Sequence, residues 1–375
     1  MPEKRRTRKE DVLRTGKHKI SGLRGESPEL LLDLYRFMLE LRMVQEALIK
    51  EYHPANEMRC PVHFCVGEEA APAALSKVLR KDDWLFCDHR GHGFYLAKGG
   101  DLNALFAELY GKAGGCNGGI AGSQEICMPS VRFYSGAILS GMGAVACGAA
   151  FESVFNGRDN LSVAVIGDGA ADEGNTWETI NYAALKKLPV LFICENNGYS
   201  TYSPQSKRQP LDNISERVAA FGVESVSLFG NDTVELLGVL REAAEYCRSG
   251  KGPFFVETYT CRWNSHVGPA DDAGVGYRTK EEIEFWRANC PAALLEESLA
   301  ASNILSPGMR EALARKITLR IEEAFKFAKS SPFPSPPDWE TVNLFPGSPA
   351  ADRLLPDTEA GGFDFHQDET VPKSY

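Results

Sequence analysis

The sequence predicts an α/β protein built on a doubly wound, mostly parallel sheet with helices on both faces. Three observations predict it. Short apolar runs rich in β-branched residues (LSVAVI, LPVLFICE, VESVSL and GPFFVETYT) recur from residue 161 onward. Helical segments alternate with them, and repeated strand-helix-strand order implies parallel pairing with helices covering both sides. At 375 residues, with 43% hydrophobic and 25% charged residues, the chain has the length and composition of a globular protein with a large core.

In chain order, the opening MPEKRRTRKEDVLRTGKHK is basic but interrupted by Glu3, Glu10 and Asp11, and no apolar stretch follows. Residues 1–26 are therefore expected to form a flexible, solvated arm rather than a secretory leader. Ser27-Pro28 supplies a capping hydroxyl and a first-turn proline. ELLLDLYRFMLELRMVQEALIKEY continues that helix with apolar residues at helical spacing. VGEEAAPAALSKVL and DLNALFAELYGK read as further helical pieces in a loop-rich region. The glycine-rich GGCNGGIAGS that follows is expected to let backbone approach a ligand closely.

Between LSVAVI and LPVLFICE, NTWETINYAALKK reads as a helix with Trp177, Ile180, Ala184 and Leu185 on one face. TVELLGVLREAAEYCRSGKG is the helical connection between VESVSL and GPFFVETYT. KEEIEFWRA and SPGMREALARKITLRIEEAFKFAKSS are helical, then SPFPSPPDWE is proline-rich. The expected organisation is an arm (1–26), one domain (27–335) and a partly disordered or partner-wrapping tail (336–375).

A net charge of −10 argues against a nucleic-acid partner, and no apolar run reaches the roughly 20 residues that cross a bilayer. Ten cysteines occur without a CxxC pair, which reads as reduced thiols and a cytoplasmic location. No GxGxxG follows a strand, and GDGAADEG lacks the third glycine, so a nicotinamide-binding dehydrogenase is disfavoured.

In an open parallel sheet, ligands bind beyond the carboxyl ends of the strands. Asp168 falls just past one predicted strand and Asn197 just past the next. If those strands are neighbours, both side-chain oxygens converge. Gly169 removes side-chain bulk, so the N–H groups of Gly169 and Ala170 can reach an anion at the start of the following helix. A carboxylate, an amide oxygen and a nearby diphosphate make an oxygen cage suited to magnesium.

Gly167-Asp168-Gly169, then 26 residues (170–195), then Asn196-Asn197 resembles the thiamine-diphosphate motif. The surrounding GDGAADEG…AALKKLP…FICENNGY is similar to the alpha subunit of the decarboxylating component of 2-oxoacid dehydrogenases of the pyruvate or acetoin type. The resemblance runs from about residue 28 to about 335 and implies the thiamine-diphosphate-binding fold.

It also implies site roles. Asp168, Asn197 and the main chain of Tyr199 would hold magnesium. His63, in VHFCVGEEA, would lie over the cofactor, and Arg90, in CDHRGHGF, would grip its diphosphate, with His89 standing where the family carries tyrosine. Arg262 and His266, in TCRWNSHVGPADD, match the family's active-site loop. Backbone groups near Ile138 and Ser140 would contact the aminopyrimidine. The departures are Asn264 for a histidine, Ser265 for glycine, Val267 where a regulatory serine can stand, and Glu125 for a histidine. Val267 excludes phosphorylation at that position.

The implied activity is decarboxylation of a small 2-oxo acid and acyl transfer to a lipoyl-bearing acyltransferase, within an α2β2 heterotetramer whose beta subunit supplies the pyrimidine-binding domain and activating glutamate. The departures leave open a second reading, half of a carboligase that forms or cleaves acyloins. A non-catalytic scaffold would instead tolerate loss of Asp168 and His266.

Overall fold

In a computed structural model, residues 7, 9–14, 16–20, 22–23 and 25–335 are described. The strands are β1 (Trp84–Asp88), β2 (Cys127–Met128), β3 (Phe133–Gly136), β4 (Ser162–Gly167), β5 (Val190–Asn196), β6 (Tyr199–Ser200), β7 (Ser203–Pro204), β8 (Glu224–Phe229) and β9 (Phe254–Tyr259). Seven of them form one sheet in the order β2-β3-β1-β4-β5-β9-β8. All its neighbours pair parallel except the edge strand β2, and β6 and β7 make a separate hairpin. The expected doubly wound α/β architecture is present.

Alternation along the strands sorts side chains into two cores. Leu85, Cys87, Val163, Val165, Leu191, Ile193 and Val256 point to one face. Phe86, Ala164, Ile166, Phe192, Cys194 and Phe255 point to the other, against helices Gly141–Phe155 and Gly174–Lys186. In the latter helix Thr176, Thr179, Ile180 and Ala183 are buried, whereas Leu185 is 73% exposed. Trp177, Ile180 and Ala184 thus pack on this core as predicted, Leu185 does not, and Thr176 and Thr179 are buried as well.

The apolar-run pattern marks β4, β5, β8 and β9 but not β1 and β3. Those two strands are short, and β1 lies between Lys81-Asp82-Asp83 and His89-Arg90, which mask its apolar residues.

Helix Pro28–Ala55 begins at the predicted cap, where the Ser27 hydroxyl accepts from the Leu30 N–H at 3.3 Å. With Leu102–Leu109 and Pro307–Ser330 it encloses a third core that includes Val44, Leu48, Phe106, Ile317 and Ile321.

Part of the segment expected as a flexible arm is described, at residues 9–14 and 16–20. Lys9–Arg14 is helical, Val12 and Ile20 are buried, and the His18 ring stacks on Phe229 at 3.9 Å. Apolar residues spaced through a basic segment provide the anchor. One compact unit runs to Phe333, and the tail expected over 336–375 lies outside the described residues. Among the described residues no helix is long and apolar enough to cross a membrane.

The glycine-rich loop also differs from expectation. The buried carboxylate of Glu108 accepts four backbone N–H groups, from Asn117 (2.8 Å), Gly119 (3.0 Å), Ala121 (2.7 Å) and Gly122 (3.2 Å). The loop therefore wraps an internal anion, and these donors are not offered to a ligand.

Candidate active site

The sheet reverses its winding between β1 and β4: the chain leaves β1 for β3 on one side, then returns to β4 and proceeds to β5 on the other. Such a switch point opens a crevice at the carboxyl ends of the strands. A cavity of about 290 Å³ lies there, lined by residues following β1 (His89, Arg90), β4 (Asp168, Gly169, Ala170) and β5 (Asn197, Tyr199), together with Arg262 and His266.

Asp168 and Asn197 converge because β4 and β5 are paired with Gly167 opposite Glu195. The two asparagines divide their work. Asn196 is fully buried and donates to Glu257 at 2.8 Å while its own oxygen accepts from Gly198, so it shapes the turn. Asn197 lines the cavity, donates to Glu68 at 3.1 Å and accepts from the Tyr199 N–H at 3.2 Å. Gly169 is required by close packing, since a Cβ there would meet the Ser200 hydroxyl oxygen at 2.7 Å.

Asp168, Asn197 and Tyr199 line the cavity together, and the oxygens of the first two are donors of the kind that suit a hard divalent cation. Arg208 already meets this carboxylate: it donates to Asp168 and to Asp172, while Gln209 donates to the Asp168 carbonyl at 3.2 Å. That clamp was not legible in the sequence, because Arg208 lies in the loop after the β6–β7 hairpin.

Arg90 points into the cavity, donating to the Phe64 carbonyl at 2.5 Å and the His266 carbonyl at 3.3 Å, beside Glu68 at 3.4 Å. Arg262 is fully buried and anchors its own loop, donating to the carbonyls of Asn264 (2.8 Å) and Thr201 (2.5 Å) and to the Tyr277 hydroxyl (2.9 Å). Asn264 donates to the Pro269 carbonyl at 3.1 Å, so the residue at a family histidine position closes this loop. Glu125 accepts from the Ala137 N–H at 3.1 Å and shapes the cavity rim. On that rim Ala137 and Leu139 line the cavity, while Ile138 is 78% exposed; Ser140 is buried and accepts from Asn175.

His63, His89 and His266 gather at the cavity, with ring centroids 4.8 to 5.2 Å apart. Burial first, then the neighbouring arginine charges, push their pKa values down to about 2, 3 and 4 respectively. At neutral pH all three are uncharged. His92 is a core residue instead, held between Ser123 (2.9 Å) and Gln45 (3.3 Å). Two further cavity groups were missed: burial pushes the Asp88 carboxyl up to about 7, and burial with Glu68 nearby raises that of Glu195. Glu195, at the end of the apolar run of β5, carried a sequence signal, whereas Asp88, at the end of β1, did not.

Residues 35–337 match the model of the family described as dehydrogenase E1 component. The chain is 34% identical over 305 residues to the alpha subunit of the pyruvate dehydrogenase E1 component, somatic form, mitochondrial, of Macaca fascicularis, covering 81% of this chain and 76% of that one. It is 32% identical over 305 residues to the pyruvate dehydrogenase E1 alpha subunit of Rhizobium meliloti, covering 81% and 86%. To the alpha subunit of acetoin:2,6-dichlorophenolindophenol oxidoreductase of Cupriavidus necator it is 32% identical over 312 residues, covering 83% and 92%.

Proposed function

The chain belongs to the dehydrogenase E1 component family, and from that premise we propose that it is the alpha subunit of a thiamine-diphosphate-dependent 2-oxo acid dehydrogenase of the pyruvate dehydrogenase type. The observation that carries this reading is the convergence of Asp168 and Asn197, from adjacent parallel strands, on one cavity with Arg90 and neutral histidines.

Asp168, Asn197 and the Tyr199 carbonyl would hold magnesium. Arg90, with the N–H groups of Gly169 and Ala170, would hold the diphosphate, and Arg262 would support it while fixing the 263–277 loop. When bound, thiamine diphosphate supplies the electron sink for loss of carbon dioxide from a 2-oxo acid. His63, His89 and His266 would face the reacting end as uncharged imidazoles, able to donate a hydrogen bond to a carbonyl oxygen or take up a proton. The backbone near Ile138 and Ser140 would meet the aminopyrimidine.

A beta subunit completes this site. Its docking face is helix Gly141–Phe155, where Ala144, Gly148, Phe151 and Phe155 recur at helical spacing and are all exposed, next to exposed Ile138. An α2β2 assembly, a lipoyl-bearing acyl acceptor and a cytoplasmic location, consistent with ten free cysteines, go with this reading.

The test is reductive acylation of a lipoyl domain by the complex reconstituted with its beta chain. Loss of at least 100-fold in kcat on Asp168→Ala and on His266→Ala is expected; full activity in either variant, or in the alpha chain alone, counts against the reading. A second reading, an acyloin-forming or acetoin-cleaving enzyme, is favoured by the Cupriavidus necator relative and by Asn264 serving loop closure. Acyloin turnover without lipoyl acylation would select it.

A further inference from the structure

His63, His89 and His266 form a constellation whose chemistry differs from that of the oxygen cage around Asp168. Each offers a ring nitrogen, and these nitrogens lie within 4.8 Å of one another. The ring planes meet at 66°, 82° and 67°, edge to face rather than stacked, so ring edges can turn toward a common point. The three residues arrive on separate elements: His63 on the segment before helix Ala70–Leu75, His89 directly after β1, and His266 on the loop after β9.

Hydrogen bonding leaves these rings available. His63 is only 2% exposed, and its Nδ1 is buried without a partner. Its Nε2 has Gln124 at 3.5 Å, a long contact from a neutral amide. Among the described residues the rings of His89 and His266 meet no carboxylate. A buried polar nitrogen is costly to leave unmet, so an unpartnered ring nitrogen on a histidine packed against two other imidazoles points to a missing ligand.

We propose that His63, His89 and His266 bind a zinc-class divalent ion, such as Zn2+ or Co2+, as a three-imidazole site at the cavity, separate from the magnesium position. Imidazole suits Zn2+, Co2+ and Cu2+, whereas carboxylate, carbonyl and water oxygens suit Mg2+, so the two donor sets sort metals by ligand type. Three nitrogens on a tetrahedral ion at 2.0–2.1 Å stand about 3.3 Å apart, so side-chain rotation must draw the rings together. The fourth position then faces the cavity and takes water or a carboxylate oxygen. Arg90 and Arg262 oppose a cation here, so a bound anion that neutralises them strengthens the site. The ion would block approach to the cavity and act as an inhibitor. His89 is decisive, because the motif this segment resembles carries tyrosine there, leaving only two imidazoles.

The test uses the purified full-length chain with its co-expressed partner, in excess Mg2+ to occupy the oxygen site. Added Co2+ is expected to bind at one ion per chain, with visible ligand-field bands of a tetrahedral nitrogen-rich site, and Zn2+ should abolish them. His89→Gln and His266→Gln, at half-buried positions, should each weaken Co2+ binding at least tenfold, with circular dichroism reporting the fold. Bands that persist in both variants, or wild-type protein that gives none, overturn the proposal. Neither readout depends on thiamine diphosphate, so the result is independent of the functional reading above.

Discussion

Arg208 donates to the carboxylate of Asp168 across 40 residues of sequence, with Asp168 only 1% exposed and Arg208 12%. A protein cation thus sits on the carboxylate proposed to receive a metal, and its other nitrogen is held by Asp172. Without metal, Arg208 compensates a buried charge that would otherwise be strongly destabilising.

Arg208→Gln should therefore lower the stability of the metal-free protein by about 3 kcal/mol. It should also enlarge the rise in melting temperature on adding Mg2+ with thiamine diphosphate, since the metal no longer displaces a resident charge. Thermal melts with and without Mg2+ check both; equal Mg2+ increments in wild type and variant would refute the exchange.

Buried histidines set a pH dependence with a defined sign. His92, His63, His89 and His266 have folded-state pKa values of about 4, 2, 3 and 4, against 6.5 for the free group. Each contributes stability that is intact above about pH 6.5 and is lost as pH falls toward the folded-state value, at up to about 1.4 kcal/mol per pH unit. Asp88 and Glu257, raised by burial to about 7, act oppositely, losing their contribution as pH rises to 7. A difference measurement separates the two: His92→Gln should flatten the fall in stability between pH 6.5 and 4.5. Urea melts at both pH values report it, and an unchanged slope would count against a neutral core histidine.

Glu108→Gln removes one of the two oxygens that together accept four N–H groups. The expected loss is about 3 kcal/mol, because buried amides are left unmet. Limited proteolysis should open the chain between residues 113 and 122. Resistance equal to wild type would mean that the loop holds itself.

Phe151→Glu with Phe155→Glu places two charges on an exposed apolar helix face. The fold should be unaffected, while co-purification with the beta chain falls at least 30-fold, the cost of losing aromatic anchors at an interface. Size-exclusion chromatography with circular dichroism distinguishes lost assembly from lost folding. Unimpaired assembly would move the interface elsewhere.

The half of the site built on β4 and β5 was legible because both strands are uninterrupted apolar runs ending in polar residues, so period and turn chemistry locate Asp168 and Asn197 without tertiary information. The β1 side was reached only through the resemblance around His89 and Arg90, since a five-residue strand between charged stretches leaves no periodic signal. Arg208 and Glu108 were invisible for a different reason. Arg208 meets Asp168 and Asp172 from a loop about 40 residues further along the chain, and Glu108 finds partners that are backbone groups, which residue types do not encode. In the N-terminal segment the basic composition hides the packing of Val12 and His18, single residues whose contacts show only once their partners are folded.

The rim at 137–139 belongs to two surfaces at once, with Ala137 and Leu139 turned to the cavity and Ile138 turned to solvent beside the apolar helix. With the partner docked on that helix and the cofactor in that cavity, a wall shared in this way would make occupancy and assembly reciprocal: whatever factor by which the partner tightens the cofactor, the cofactor would tighten the partner. Dilution of the complex should then shed cofactor, and cofactor depletion should dissociate the subunits, each titration reporting the other's equilibrium.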